Sequence, residues 1–274
     1  MKIIICFFSV LFLFGTLTSE TEATIIDTPL PAFTDPASPW TSLADKSIIT
    51  YAFKTSHDGI LWDTEEKNAA YDAINLLDSY LPDQSFQETG DFTLRWAGSD
   101  FFKDWSDTGK YSDPGWNMKG EDFTDENGNN WWDPGEKFTD TNKNGIYDGP
   151  PLAVAYKHNN APWDHDKFPN NEIYFNKNAP YGFSILGVDS DKYDFWTILL
   201  HEVIHMLACD DHATHKNEVM YESISMGERK YIQQSDLDIL KKAGYKVIPE
   251  PSTNTLLIFG LLGLAWVCRK KIFL

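Results

Sequence analysis

The sequence contains few cysteines, and their positions exclude an internal disulfide in the exported part of the chain. Only three of the 274 residues are cysteines, and two of them, Cys6 and Cys268, lie in the terminal apolar segments. A disulfide needs two thiols, so Cys209 alone cannot form one. The fold must therefore be stabilised by packing, with bound ions as a further source.

Basic residues are scarce as well. Lys and Arg total 23 against 41 Asp and Glu, which gives a formal net charge of −18 and a pI of about 4.6. A non-specific nucleic-acid-binding protein needs a cationic surface to neutralise phosphates, so the composition argues against that class. The same negative net charge disfavours binding to an anionic membrane surface. The hydrophobic fraction of 42% is sufficient for a core and argues against a wholly disordered chain.

The N-terminus is predicted to be a secretory signal peptide. Lys2 precedes an apolar run over residues 3–14, and small and polar residues follow it. The run is too short to cross a bilayer about 30 Å thick as a helix. We assign residues 1–23 to the signal peptide and expect cleavage between Gly15 and Ala23.

The C-terminal residues 249–274 have three parts in a fixed order. A Pro-Glu-Pro triplet over 249–251 is followed by an apolar stretch over 256–268 and a basic cluster over 269–271. The segment resembles a PEP-CTERM sorting signal, and an ordinary C-terminal membrane anchor is the alternative. The resemblance implies an exosortase-type sorting partner. It also implies anchoring of the C-terminus in the inner membrane, and then the cell surface or extracellular matrix of a Gram-negative bacterium.

The residues between the two ends are predicted to form one domain. We expect an extended leader over residues 24–46 and a domain over 47–248 that carries an acidic insertion at 101–151. The hydrophobic patterns predict strands over 47–54, 91–96, 152–156 and 172–175, and helices over 63–81, 193–208 and 235–243.

The insertion contains two loops with the same spacing of oxygen-bearing side chains, which suits a hard cation such as Ca²⁺. The first loop has Asp125, Asn127, Asn129 and Asp133 at positions 1, 3, 5 and 9 and Glu136 at position 12; the second repeats the first four positions with Asp140, Asn142, Asn144 and Asp148. Neither is a complete EF-hand loop. In the first loop Asn130 stands at position 6, where glycine is usual, and in the second Pro151 stands at position 12, where a carboxylate is usual. We predict calcium ions that order the insertion; a solvated acidic turn cluster is the alternative.

The sequence His-Glu-Val-Ile-His at 201–205 lies on the second long predicted helix. Helix positions four apart share a face, so His201 and His205 can bind one Zn²⁺. Zinc makes a water molecule more acidic, and Glu202 is then positioned to remove its proton as a general base. This combination predicts peptide hydrolysis. A chance match would leave costly buried polar groups on an apolar helix.

The residues after this motif resemble those of metzincin zinc peptidases, in which the third ligand stands ten residues after the first. That position is Asp211, and His212 follows directly. Residues 219–221 resemble a Met-turn, and the eight-residue spacing from His212 to Met220 resembles that of matrixins. The resemblance favours His212 as the third zinc ligand, with Asp211 as the alternative, and implies that Met220 lies beneath the metal as an apolar floor.

The matrixin resemblance also implies an α+β, zincin-like domain with a mixed twisted sheet and an active-site helix. Residues 172–175 resemble the edge strand that lines the substrate cleft. Matrixins are often kept latent by a propeptide cysteine, which residues 24–46 do not contain. Less favoured third ligands are His215 and, for a thermolysin-type site, Glu222 or Glu228.

The sequence therefore predicts a secreted or surface-anchored, monomeric zinc endopeptidase that cleaves a protein or peptide substrate, with Zn²⁺ and Ca²⁺ as cofactors. Two alternatives remain open. One is a zincin-fold protein without catalytic activity, and the other is a calcium-dependent extracellular matrix or adhesive protein that functions through the insertion.

Overall fold

The computed structural model describes the central part of the chain with gaps. The described residues are 22–24 (backbone only), 43–56, 59–98, 121–128, 132, 135–141, 143, 149, 151–156, 171–207 and 212–248. The predicted sorting segment 249–274 and residues 1–21 of the predicted signal peptide lie outside them. None of the helices in these ranges is long and apolar enough to cross a membrane.

A five-stranded mixed sheet is the frame of the described domain, so the fold is mixed α/β. In chain order its strands are β2 (Ile48–Lys54), β3 (Ser85–Glu88), β4 (Phe92–Ala97), β5 (Ala153–Tyr156) and β6 (Asn171–Asn176). Their spatial order is β3-β2-β4-β6-β5. β5 runs antiparallel to β6, and the other neighbours are parallel. All strands predicted from the sequence are present, and β3 is an additional one.

The expected edge strand at 172–175 is not at the edge, and this prediction was wrong. β6 is hydrogen-bonded to β4 on one side and to β5 on the other. Ile173 and Phe175 belong to the main core, while Glu172 and Tyr174 between them are buried as well. A strand covered on both faces is rich in large apolar side chains without clean alternation, as here. The edge position belongs to β5.

Three helices complete the fold: α1 (Thr64–Tyr80), α2 (Phe195–Leu207) and α3 (Gln234–Lys242). All three were predicted from the sequence to within two residues at each end. α1 begins with a capping box in which Asp63 accepts from the Glu66 N–H at 2.8 Å and Glu66 accepts from the Asp63 N–H at 2.9 Å. Every residue of α2 is buried, and α2 packs against α1, β5 and β6.

The start of α2 is fixed by aromatic packing and by a buried ion pair. Phe195 packs against Phe175 and Trp96, with ring centroids 5.1 and 5.7 Å away. Asp194 is fully buried and receives two hydrogen bonds from the Arg229 guanidinium, at 2.9 and 2.7 Å. Such bidentate pairing holds both position and orientation. The first turn of α2 is therefore rigidly placed on the sheet.

Two further pairs of short strands flank the domain. β7 (Tyr181–Gly182) is parallel to β8 (Tyr193–Asp194), and β1 (Glu22–Thr24) is antiparallel to β9 (Ser223–Ser225). The sequence predicted none of these strands. β1 overlaps the last two residues that we assigned to the signal peptide.

Gly227, in the turn after β9, is expected to be intolerant of substitution. Its φ is +75°, and an added Cβ would lie 2.9 Å from Ser190 Cα. We expect Gly227→Ala to lower the free energy of unfolding by about 2 kcal/mol or more, since the left-handed conformation alone costs roughly 1–2 kcal/mol for an L-residue. Chemical denaturation measures this loss.

Gly59→Ala is the matched control. Gly59 also has a positive φ, of +80°, but nothing lies within 4 Å of its added Cβ. Gly59→Ala should therefore lose only the part of the free energy of unfolding that comes from the left-handed backbone conformation. Equal losses of unfolding free energy in the two variants would mean that the contact between the added Cβ and Ser190 contributes nothing.

Candidate metal site

Helix α2 brings three polar side chains of the His-Glu-Val-Ile-His sequence into the apolar core. His201, Glu202 and His205 are each at most 1% exposed. His201 and His205 lie one helical turn apart, and their Nε2 atoms are 2.8 Å from each other. The shared face expected from the sequence spacing is thus formed.

His212 joins these two histidines from outside the helix. α2 ends at Leu207, and an uninterrupted helix would carry His212 about 10.5 Å farther along the axis than His205. Instead, the His212 ring centroid is 5.4 Å from that of His201 and 5.0 Å from that of His205. Asp211, the alternative third ligand, lies outside the described residues.

The three imidazoles fit a zinc ion by donor type and by spacing. One ring nitrogen from each histidine lies within 4.8 Å of the others. Ligand nitrogens on one tetrahedral zinc, at bonds of 2.0–2.1 Å, are roughly 3.3 Å apart. The observed separations, from 2.8 Å to at most 4.8 Å, bracket that value.

The orientation and charge of His201 are both set for metal binding. Its Nδ1 lies 2.8 Å from the Val219 carbonyl oxygen, an acceptor that assigns the ring proton to Nδ1 and leaves the Nε2 lone pair directed at the cluster. Burial lowers the pKa of His201 well below its usual value, and the neighbouring His205 and His212 lower it further. His201 is therefore a neutral imidazole, the form that binds a metal.

The Val219–Met220 turn is held in place by one buried carboxylate. Asp236, fully buried at the start of α3, accepts from the Met220 N–H at 2.9 Å and the Val219 N–H at 3.3 Å. The Met220 carbonyl in turn accepts from the Ala213 N–H at 2.7 Å, next to His212. Asp236 thus anchors the backbone that orients His201 and the segment that carries His212.

Sequence reasoning missed the role of Asp236. An aspartate in the first turn of an amphipathic helix is usually explained by helix capping, and Asp236 does accept from the Gln233 N–H at 2.7 Å. Nothing in the local pattern shows that the same carboxylate also reaches residues 219 and 220. Burial raises the pKa of Asp236, and its hydrogen bonds to main-chain N–H groups oppose that rise.

Glu202 follows His201 on α2 and is fully buried. Tyr181 is buried, its hydroxyl donates to the Leu152 carbonyl, and its pKa is raised well above the usual value by burial and then by the charge of Glu202. Tyr181 was another residue that the sequence did not identify. Its phenol therefore stays protonated.

The less favoured ligands from the sequence do not belong to the histidine cluster. His215 and Glu222 are exposed, and Glu228 accepts a hydrogen bond from the Ser225 N–H at 3.1 Å. Within the described ranges, the grouping that includes His201 and His205 has His212 as its third member.

The predicted calcium loops are only partly described. Asn129, Asp133, Asn142, Asn144 and Asp148 lie outside the described residues. The two loops meet at an antiparallel bridge between Phe123 and Phe138, each two residues before the first carboxylate of its loop. Glu136, at position 12 of the first loop, accepts from the Glu126 N–H at 2.8 Å, and Asp125 accepts from the Gly128 N–H at 2.6 Å.

Comparison with known families identifies the tail of the chain. Residues 247–271 match the PEP-CTERM protein-sorting motif. The chain carries a PEP-CTERM sorting signal. The sorting signal predicted at residues 249–274 is therefore confirmed. Such a signal is typical of exported proteins and implies exosortase-type sorting machinery. The match is confined to the tail, and a comparison with curated proteins finds no match.

Asp236→Asn is expected to weaken metal binding without touching a ligand. The amide retains one acceptor and turns an NH₂ group toward backbone N–H donors, so the 219–220 turn loses part of its anchor. We expect zinc affinity, measured by competition with a chelator, to fall about 10–100-fold.

The matched control is Asp238→Asn, two residues along the same helix. The Asp238 side chain is 54% exposed and pairs with Lys241 on the surface. Removal of the Asp238 charge should leave zinc affinity unchanged. Equal effects of both substitutions would show that the buried anchor does not position the site.

Proposed function

We propose that this protein is a zinc-dependent endopeptidase of the metzincin type. The observation that carries the proposal is the convergence of His201, His205 and His212, with ring nitrogens within 4.8 Å, beside the buried Glu202. These three histidines would hold the zinc. When bound, zinc makes water acidic enough to lose a proton near neutral pH and polarises a substrate carbonyl.

The remaining chemistry belongs to side chains of the chain itself. Glu202 accepts the proton of the attacking water on its carboxylate and passes it to the nitrogen of the departing amine. Val219 keeps the His201 ring in one orientation through its carbonyl oxygen.

The position of strand β5 supports an extended peptide as substrate. β5 lies at the edge of the sheet and contacts α2, the helix that carries the motif. Among the described strands, only β6 pairs with β5. An edge strand can accept an extended peptide by β-addition, with main-chain hydrogen bonds that do not depend on sequence. A mixed sheet with an antiparallel edge beside the motif helix also supports the zincin-like interpretation.

We further propose that the insertion binds calcium, as its repeated oxygen spacing suggests. The Phe123–Phe138 bridge pairs the two loops, and Trp132 packs against Phe138 at a centroid distance of 5.9 Å. Calcium bound there would order a segment too polar to bury itself. With the sorting signal, the proposed setting is the envelope of a Gram-negative bacterium, with the protein acting as a monomer.

Metal content tests the ligand set. We expect the full chain, purified in detergent and dialysed, to retain about one zinc ion per molecule, and His212→Ala to lose it. His215→Ala is the control, because His215 is an exposed histidine only three residues away. If His212→Ala retained zinc, another residue would have to be the third ligand, and Asp211 would be the first to test.

The same elemental measurement reports calcium. Calcium without zinc in the wild type would contradict the peptidase proposal and favour a calcium-dependent matrix or adhesive protein.

Hydrolysis tests the role of Glu202. Glu202→Gln keeps the shape of the side chain but cannot accept a proton, so we expect cleavage of labelled casein to fall by at least about 100-fold with zinc still bound. Glu222→Gln changes an exposed carboxylate of the same size and should cleave normally. Zinc-loaded wild type without detectable cleavage would favour a catalytically inactive zincin-fold protein.

A further inference from the structure

The C-terminal ends of all three helices meet at one end of the domain. The Ile248 N–H donates to the Tyr80 carbonyl, at the end of α1, at 2.9 Å. The Tyr245 hydroxyl donates to the Leu207 carbonyl, at the end of α2, at 3.1 Å. α3 ends at Lys242, three residues before Tyr245. The chain therefore enters the sorting motif at this end of the domain.

Residues 43–48 lie at the same end. The Gln84 amide, just after α1, donates to the Ala44 carbonyl at 3.2 Å, and a Cβ added to Gly244 would lie 3.6 Å from Ala44 Cβ. We call this end the exit face and define it by its exposed basic and large apolar side chains: Lys46, Ile48, Lys241, Lys242, Lys246 and Ile248. The two isoleucines are 45% and 50% exposed. Exposed apolar side chains with a polar rim are typical of an interaction surface.

The exit face is close to neutral although the whole chain has a formal net charge of −18. The segments 43–48, 80–85 and 241–248 contain four lysines and two aspartates. Three of the lysines pair with aspartates on or beside the face: Lys46 with Asp91, Lys241 with Asp238 at 2.8 Å and Lys246 with Asp83 at 3.3 Å. Salt screens charges beyond a Debye length of about 8 Å. The acidic remainder of the chain therefore does not prevent contact between this face and an anionic surface.

The sequence keeps the exit face close to the predicted membrane segment. Seven residues, 249–255, separate Ile248 from the apolar stretch that begins at residue 256. A chain of that length spans at most about 25 Å. A short tether gives an effective concentration of roughly millimolar or more. Even a weak contact between the face and the bilayer is then sufficient for docking.

We propose that the exit face docks on the phospholipid headgroups of the membrane that holds the sorting segment, while that segment is still attached. This inference rests on the proposed envelope setting and not on the peptidase chemistry. Ile48 and Ile248 enter the interfacial layer, and the lysine stems lie along it with their ammonium groups near the phosphates. The C-terminal ends of the helices then face the bilayer, and the start of α2 points away from it.

The far end of α2 provides a reference position. The Arg229 guanidinium pairs with Asp194, directly before α2, and donates to the Ile185 carbonyl, each at 2.7 Å. α2 has 13 residues and is about 18 Å long. Leu186, which follows Ile185, is 93% exposed, more than either isoleucine of the exit face. If apolar exposure alone led to lipid contact, Leu186 would be contacted first.

Photo-crosslinking to lipid tests the proposal. The full chain is reconstituted into vesicles of phosphatidylethanolamine and phosphatidylglycerol that contain a diazirine-bearing phospholipid, and mass spectrometry locates the attached lipid after irradiation. We expect attachment at residues 43–48 and 241–248 to exceed that at 183–192 at least about tenfold. Attachment at residues 256–268 is the positive control.

Two substitutions test whether the face itself makes the contact. Ile48→Asp places a carboxylate on the exit face and should reduce attachment at both of its segments. Lys242→Glu, at an exposed position outside the core, should reduce it about fivefold in a chain that folds normally. Ile185→Asp is the matched control, an exposed isoleucine at the far end, and should leave attachment unchanged.

Attachment confined to residues 256–268, or equal at both ends of the domain, would overturn the proposal. So would attachment at the exit face that persists in both Ile48→Asp and Lys242→Glu. No attachment even at residues 256–268 would contradict the membrane-anchored setting and the docking with it. None of these measurements requires zinc or hydrolysis, so a protein that docks without cleaving casein would contradict only the peptidase proposal.

Discussion

The buried carboxylate of Asp236 is the constraint on which the site depends. It holds the backbone of Val219 and Met220, and the Val219 carbonyl in turn fixes the imidazole of His201. The Met220 carbonyl extends the same chain of hydrogen bonds to Ala213, beside His212. Two of the three histidines, which lie on separate elements, are therefore aligned by one side chain of α3. Metal affinity and local stability should respond together to changes in this network.

Helix α2 explains why that alignment is necessary. All its residues are buried, so His201, Glu202 and His205 lie where water cannot solvate them. Burial of such groups is unfavourable unless they are paired or bind a metal. The proposed zinc ion would bind at the point where His201 and His205 meet His212. The buried Asp194–Arg229 pair fixes the N-terminal end of the same helix, so the site is supported at both ends.

The sequence was sufficient for elements with strong periodicity and insufficient for contacts between distant segments. The three helices follow from apolar spacing, and the face shared by His201 and His205 follows from helix geometry. The return of His212 was expected only from the spacing to Met220 in a resembling family. The edge position expected for β6 came from the matrixin resemblance alone and was wrong; its polar residue Glu172 is buried and pairs with Arg95 at 2.7 Å. β9 has only three residues, too few for an alternating hydrophobic pattern to show. The hydrogen bonds from Val219 and Met220 to Asp236 join residues distant in sequence, so no local pattern predicts them.

The last described residues of the domain overlap the start of the sorting motif. The Tyr245 hydroxyl donates to the Leu207 carbonyl at 3.1 Å, and the Ile248 N–H donates to the Tyr80 carbonyl at 2.9 Å, so the last residues of the domain join the C-terminal ends of α2 and α1. The sorting motif begins at residue 247, without a spacer. Removal of the chain after Ile248 would leave both hydrogen bonds intact. The signal can therefore be processed without disturbing the helix that carries the site.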